Sequence, residues 1–118
     1  MTFADALVLV VCLGRAPTCA ADARPYAVTV EETAGAYGLD PVRLAAVLRV
    51  ERVPRAEVAV TRTAAHLSRW WSLCDRQWSY ALRGHRYHTG CHAEDTSGYV
   101  ARVRAAERRL RRVMTRER

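Results

Sequence analysis

The stretch YGLDPVRLAAVLRVER, residues 37–52, predicts where one helix ends and an apolar helix begins. Gly38 is the residue type expected at a helix C-terminus, because glycine adopts a positive φ without strain. Asp40 followed by Pro41 is typical of a helix start, since the carboxylate accepts hydrogen bonds from free amides and proline lacks the amide that would be left unpaired. The helix that follows is almost entirely apolar until Glu51, so the purpose of this acid is the question that the stretch raises.

Two interpretations of Glu51 are open from the residues alone. Glu51 is three and four residues from Leu48 and Val47, so it lies on or near the apolar face of the helix. It is either a solvated acid at the helix end, paired with a neighbouring arginine such as Arg52, or a carboxylic acid that the helix delivers into a cleft.

Helical patterns account for most of the remaining chain. Residues 56–73 form an amphipathic segment after Pro54, and a shorter helix carrying Trp78 is predicted to end before Gly84. Side chains suited to N-capping precede the predicted helices. They are Thr29 with Glu32 at capping-box spacing, Asp40, Asp75 and Ser97. No strand pattern of comparable length follows the N-terminal run, so we expect an all-α domain of about five helices.

Composition limits the class of protein. A chain of 118 residues, half of them hydrophobic, corresponds to one small domain. The net charge of +7 predicts attraction to polyanions, which include nucleic acid, anionic membrane faces and the acidic polymers of a bacterial envelope. All 19 basic residues are arginine, a pattern typical of codon bias, so the arginine count does not by itself favour nucleic acid.

The N-terminus, residues 1–23, is a candidate signal peptide. Its apolar run is too short to span a bilayer, so no stable membrane span is expected, and small residues up to Ala20 or Ala23 resemble a cleavage site. Export would place the protein in the periplasm or outside the cell. The segment before the apolar run carries no positive charge, however, so a first buried helix or strand of a cytosolic domain, or a misplaced start codon, remains open.

The cysteines leave three alternatives. Cys74 and Cys91 would be the two left after cleavage, which suits one disulfide in an oxidising compartment. They could also be free buried thiols. A zinc site formed with His85, His88 and His92 is the third alternative, but the spacing matches no standard zinc finger. We therefore expect neither a metal nor a cofactor.

Three segments resemble the soluble lytic transglycosylase (SLT) domain of the lysozyme-like superfamily, and they occur in the family's order. They are AGAYGLDPVRLAAVLRVE (34–51), WSYALRGHRYHTG (78–90) and SGYVARVRAAERRL (97–110). Glu51 falls on the catalytic glutamate of the family. Tyr87 and Gly90 fall on the tyrosine and glycine of its Ala-Tyr-Asn-x-Gly motif, in which Arg86 and His88 replace the alanine and asparagine.

The resemblance implies a single small lysozyme-like helical domain over residues 24–118. It also implies that Glu51 cleaves the bond between N-acetylmuramic acid and N-acetylglucosamine and helps to close a 1,6-anhydro ring. Tyr87, His88 and Gly90 would bind substrate. The protein would act as a monomer, and its binding partner would be the glycan strands of peptidoglycan.

One departure from the family follows Glu51. Arg52, Val53 and Pro54 stand where the family has a serine and then a Gly-hydrophobic-Met-Gln motif, so the domain is expected to lack part of the usual cleft wall. Two alternatives therefore stand beside the enzyme. One is a catalytically inactive relative that binds glycan or a wall-associated partner. The other is a small basic helical protein that binds nucleic acid, which is a less favoured partner than glycan.

Overall fold

The computed structural model describes residues 1–116, and every regular element in that range is an α-helix. The helices are α1 (Phe3–Cys12), α2 (Cys19–Ala36), α3 (Pro41–Val50), α4 (Glu57–Leu73), α5 (Trp78–Tyr87) and α6 (Tyr99–Thr115). The all-α prediction is confirmed. The described residues form six helices where about five were expected, because the N-terminal apolar run is also a helix.

The start of α3 and the end of α2 follow the local signals. The Asp40 carboxylate accepts a hydrogen bond from the Val42 amide at 2.8 Å, as a capping residue should. Gly38 has a φ of 67°, and the Leu39 amide donates to the Ala34 carbonyl at 2.9 Å, which closes α2 with a Schellman motif. Both predicted boundaries are confirmed.

The predicted helix start at Thr29 is wrong. Thr29 and Glu32 lie inside α2, which begins ten residues earlier at Cys19. The buried face of α2 starts well before Thr29 and recurs every three or four residues. Its members are Ala23, Ala27, Val30 and Ala34. Because α2 packs on α1, α3 and α4, tertiary contacts extend the helix beyond the point that the capping pattern indicated.

The predicted cap at Asp75 is also wrong. Asp75 has a φ of 55° and follows α4, where the Arg76 amide donates to the Trp71 carbonyl at 2.9 Å. Asp75 therefore occupies the left-handed position that ends α4. The N-cap residue of α5 is Gln77, whose side chain makes no capping hydrogen bond.

The last helix begins one residue later than predicted and uses a different cap. Gly98, with a φ of 70°, is the N-cap residue in place of Ser97. The capping side chain is Asp95, whose carboxylate accepts from the amides of Tyr99 at 3.0 Å and Val100 at 3.1 Å. At the positively polarised end of a helix, a carboxylate such as that of Asp95 is a stronger hydrogen-bond acceptor than the hydroxyl of Ser97.

Helix α3 lies at the centre of the fold. It packs against α1, α2, α4 and α6, and six of its ten residues are buried. They are Val42, Leu44, Ala45, Ala46, Val47 and Leu48. The apolar sequence of α3 is explained by this enclosure on several sides. A helix so enclosed fixes the position of the residue at its end, and that residue is Glu51.

Helix α1 is part of the same core. Its buried side chains include Phe3, Leu7, Val8 and Val10. The candidate signal peptide, residues 1–23, thus covers α1 and the first turn of α2, and its removal stays a prediction. In the part of the chain that the structure describes, no helix is both long and apolar enough to cross a membrane.

Two disulfides link neighbouring elements. Cys12 and Cys19 join the end of α1 to the start of α2. Cys74 and Cys91 join the end of α4 to the loop after α5. The second disulfide limits the separation of α4 and α5, and these two helices carry most of the polar groups around Glu51 described below.

Candidate active site

Glu51 is the C-cap residue of α3, and its side chain is 22% exposed. Its Oε2 atom lies 3.0 Å from Nε2 of His85, which is on α5 and only 8% exposed. Within residues 1–116 no arginine lies within ion-pair distance of Glu51, and His85 is the one basic side chain in contact with its carboxylate. The carboxylate is therefore held by a histidine from another helix and is not a solvated helix end paired with Arg52.

A hydrogen-bond chain leads to Glu51 from α4. His85 Nδ1 lies 2.6 Å from His66 Nδ1, and Trp70 Nε1 lies 3.2 Å from His66 Nε2. His66 and Trp70 are four residues apart on α4, so they share one helix face. We call Trp70, His66, His85 and Glu51 the hydrogen-bond chain; it connects α4, α5 and α3.

The direction of the hydrogen-bond chain is fixed by its first member. An indole N–H can only donate, so Nε2 of His66 accepts from Trp70. Neutral His66 then carries its proton on Nδ1 and donates to Nδ1 of His85. His85 in turn carries its proton on Nε2 and donates to Glu51. Every donor points toward the carboxylate, and both imidazoles are neutral in this arrangement.

The electrostatics of His66 agree with this direction. Burial, followed by the nearby His85 and His88, lowers the pKa of His66 below its ordinary value of 6.5, and the charge of Glu51 opposes that shift only in part. A second proton on His66 would have to sit on Nε2, facing the indole N–H of Trp70. The neutral form is therefore favoured both by burial and by the hydrogen-bond geometry.

Gly84 allows Trp70 to reach this position. A Cβ atom on Gly84 would overlap the six-membered ring of Trp70, so α4 and α5 approach closely only because the residue is glycine. Gly84 lies inside α5, directly before His85, and the prediction that the helix ends before Gly84 is wrong. The packing of Trp70 against this glycine outweighs the low helix propensity of glycine.

Glu51 opens onto a pocket of about 320 Å³, here called the Glu51 pocket, lined by Val50, Glu51, Arg86, Tyr99 and Arg102. In the part of the chain that the structure describes, Glu51 is the one carboxylate in this lining. Tyr99 is buried, and its hydroxyl lies close enough to Glu51 to interact with it, although no hydrogen bond of good geometry joins it to a described residue. Burial and, next, the charge of Glu51 raise the pKa of Tyr99, so the phenol stays neutral. The pocket therefore combines one carboxylate, one neutral phenol and two guanidinium groups.

The other predicted site residues lie on the adjacent loop. The Tyr87 hydroxyl donates to Asp95 Oδ1 at 2.6 Å and lies 2.8 Å from Ser97 Oγ. Tyr87 thereby holds the loop to the start of α6, and the tyrosine that lines the pocket with Glu51 is Tyr99. His88 ends α5 with a φ of 62° beside the hydrogen-bond chain, and Gly90 has a φ of 138°. The assignment of Tyr87, His88 and Gly90 to substrate binding stays a prediction.

The histidines and cysteines considered as zinc ligands are not arranged as a zinc site within residues 1–116. No group of three or more histidine, cysteine, aspartate or glutamate side chains within residues 1–116 is arranged to hold a metal ion. Cys74 and Cys91 are joined in a disulfide, which removes both thiolates. His85 uses both of its ring nitrogens inside the hydrogen-bond chain.

Arg86, Tyr99 and Arg102 of the pocket lining were not among the predicted site residues, and His85 was considered only as a zinc ligand. Two members of the hydrogen-bond chain, His66 and Trp70, were also missed. The available signal is their spacing, because residues four apart lie on one face of α4. Nothing in the local sequence pairs them with His85, which is 19 residues from His66.

No protein-family model, curated protein or solved structure matches this chain. The function therefore rests on the geometry of the Glu51 pocket and on the three segments that resemble the SLT domain.

Proposed function

We propose that the protein is a lytic transglycosylase of peptidoglycan, acting in the periplasm or outside the cell, in which Glu51 serves as the single acid and base. One observation supports this most: among residues 1–116, Glu51 is the one carboxylate lining the pocket at the end of α3, and His85 holds its Oε2 atom. In this proposal the other oxygen, Oε1, carries the proton to the substrate.

The chemistry needs two proton transfers. Glu51 first gives its proton to the bridging oxygen as the bond from C1 of N-acetylmuramic acid to that oxygen breaks. The resulting carboxylate then takes the proton of the C6 hydroxyl while O6 bonds to C1, which forms the 1,6-anhydro ring and restores the acid. No water is consumed and no second carboxylate is needed, in contrast to the usual pair of acids in glycoside hydrolases.

The surrounding residues have separate roles in this scheme. The hydrogen bond from His85 to Oε2 fixes the rotation of the carboxyl group, so that Oε1 faces one direction. The buried hydroxyl of Tyr99 lies beside Glu51 and is available to donate to its carboxyl group. Arg86 and Arg102 attract the anionic groups of the wall polymer. The pocket of about 320 Å³ is near the lower end of the range for ligand sites, so it encloses only part of a glycan strand.

The direct test is the Glu51→Gln variant on purified sacculi, with the released anhydro-muropeptides measured by chromatography and mass spectrometry. Glutamine keeps the shape of the side chain and cannot donate a proton as the acid does, so the rate should fall by about 10²- to 10⁴-fold. Glu31→Gln, an exposed change on α2, is the matched control and should keep full activity. If the wild-type protein releases no anhydro-muropeptides, the proposed enzymatic activity is refuted.

A catalytically inactive glycan-binding relative is the second candidate. The observation that favours it is the short connection between α3 and α4, residues 51–56, where the family has a longer segment that lines the cleft. Co-sedimentation with sacculi separates the two functions. Wild-type protein that sediments with sacculi but releases nothing supports the binding function alone.

A further inference from the structure

A second and larger cavity, of about 670 Å³, adjoins the Glu51 pocket and shares Val50 and Arg102 with it. We call it the arginine pocket. Its apolar lining comes mainly from α1, α3 and α6. Leu7, Leu48 and Leu110 are almost fully buried in it, and the partly accessible members are Val11, Tyr26, Val50, Val53 and Ala106. Its polar lining is dominated by six arginines: Arg15, Arg49, Arg52, Arg55, Arg102 and Arg109. None of the acidic residues within residues 1–116 lines this cavity.

The six arginines are not neutralised by the protein in the range that the structure describes. The salt bridges of residues 1–116 involve other arginines, and none of the six takes part in one. Arg49 is exposed at the rim, and partial desolvation by the neighbouring residues, followed by repulsion from Arg109 and Arg55, lowers its pKa. Guanidinium groups that crowd together at a cavity without a counter-charge create a site of positive potential, which a bound anion would relieve.

Arg52 is held in the pocket lining at a conformational cost. Its φ is 52°, and the Val53 amide donates to the Leu48 carbonyl at 2.9 Å, so Arg52 occupies the left-handed position of a Schellman motif. Gly38 fills the same position at the end of α2. A residue with a side chain is less stable than glycine there by about 1 kcal/mol. Strain of this kind at a residue that lines a cavity suggests that the side chain serves a function.

The shape and chemistry of the arginine pocket limit its occupant. A nucleic-acid backbone would use the guanidinium groups but not the apolar floor, and free phosphate would leave most of the 670 Å³ unfilled. Arginine binds phosphate through paired N–H donors, and an apolar floor stabilises a hydrocarbon chain by about 0.8 kcal/mol for each buried methylene.

We propose that the arginine pocket binds an amphiphile with a phosphate head group and a single apolar chain. The head group lies among the guanidinium groups, and the chain lies over the floor that α1, α3 and α6 form. This inference does not rest on the proposed glycan-cleaving activity, because it concerns a different cavity and needs no reaction.

Isothermal titration calorimetry with dodecyl phosphate below its critical micelle concentration tests the proposal. We expect saturable binding of one molecule per chain. Inorganic phosphate carries the head group alone, and dodecyl maltoside carries the same chain on a neutral head group. Each should bind at least about tenfold more weakly, since each lacks one of the two interactions. Equal affinity for either control compound would overturn the proposal.

Variants locate the binding in the arginine pocket. Arg49→Gln combined with Arg109→Gln should weaken dodecyl phosphate binding by about tenfold or more, because both guanidinium groups line the cavity. Arg108→Gln combined with Arg112→Gln removes the same charge from exposed positions of α6 outside the lining and should change the affinity less than about twofold. Equal losses in the two double variants would mean attraction to net charge only and would refute the site.

A single variant gives a second measurement that does not depend on the folding of the double variant. Arg52→Gly removes one guanidinium group and relieves the positive φ, so the melting temperature should rise while the affinity for dodecyl phosphate falls. Glu51→Gln should bind dodecyl phosphate as the wild type does, which keeps this proposal distinct from the catalytic one. An Arg52→Gly protein with unchanged affinity would contradict the role given to Arg52.

Discussion

Glu51 and Glu107 are both glutamates held at helix–helix contacts, yet their surroundings differ. Glu107 is 5% exposed, and its carboxylate accepts a hydrogen bond from Trp78 Nε1 at 2.9 Å and lies 3.8 Å from Arg43 Nε. Glu51 is 22% exposed, has His85 as its hydrogen-bond partner and opens onto a pocket. A carboxylate with partners at both oxygens is occupied in stabilising the fold, whereas one with an oxygen facing a pocket is available for chemistry.

The neighbourhood of Glu107 is a closed network. The guanidinium group of Arg43 lies 5.2 Å from the ring of Trp71 and 5.1 Å from that of Trp78. These contacts join α3, α4, α5 and α6 through aromatic packing and charge together. Trp70 differs from the other two tryptophans, because its N–H begins the hydrogen-bond chain that ends at Glu51.

Truncating the two carboxylates should give the largest difference in stability. Glu107→Ala leaves the Trp78 N–H buried without an acceptor and removes the partner of Arg43, so the free energy of unfolding should fall by about 3 kcal/mol. Glu51→Ala leaves the N–H of His85 without its acceptor, but at the edge of a pocket that water can enter, so it should cost only about 1 kcal/mol. Urea unfolding followed by circular dichroism measures both values. Similar losses would mean that Glu51 is as structural as Glu107.

Adding one methyl group at Gly84 should have an intermediate effect. The new Cβ would displace the Trp70 ring, at a cost of about 1–3 kcal/mol for overpacking, and alanine returns about 1 kcal/mol through its higher helix propensity. We expect a net loss of up to about 2 kcal/mol, together with a shift in tryptophan fluorescence.

Gly35→Ala is the matched control for Gly84→Ala. Gly35 also lies within a helix, but nothing comes within 4 Å of a Cβ placed there. The change should therefore stabilise the protein by about 0.5–1 kcal/mol. If Gly84→Ala also stabilised the protein, Trp70 could not be packed as described.

The elements that could be predicted from the sequence are those with local causes. The Asp40–Pro41 start of α3 and the Gly38 end of α2 depend on residues within one helical turn, and they place Glu51 at the end of α3. The left-handed Arg52 has no comparable signal, because its conformation is imposed by the α3–α4 connection where glycine is the residue expected.

The contacts of Glu51 could not be predicted in the same way. The pairing of His66 with His85 requires α4 and α5 to approach at Gly84, and this glycine resembles a helix break when it is considered alone. The role of α1 depends likewise on its packing against α2 and α6, although its apolar run is also typical of a signal peptide. In both cases long-range packing determines which residues come into contact, and the local sequence does not encode that packing.

The smallest expected effect is a dependence of stability on pH that arises near Glu51 and not near Glu107. The pKa of His66 is below its ordinary 6.5 in the folded protein, so the unfolded chain binds the extra proton more readily. The stabilisation from neutral His66 is complete above pH 6.5 and is lost as the pH falls toward the folded pKa. Asp5, Asp40 and Asp95 also have lowered pKa values, but their contributions are lost only near and below their usual 3.8.

Urea unfolding at pH 7.5 and pH 5.5 therefore isolates His66. The wild type should be less stable at the lower pH, His66→Gln should lose less, and His92→Gln, which changes an exposed histidine outside the hydrogen-bond chain, should behave as the wild type does. His85, His88, Glu51 and Arg69 influence the same proton, and all four remain in both variants. An equal loss in His66→Gln would show that His66 is not held neutral. The assigned direction of hydrogen bonding, in which Nε2–H of His85 donates to Glu51, would then be wrong.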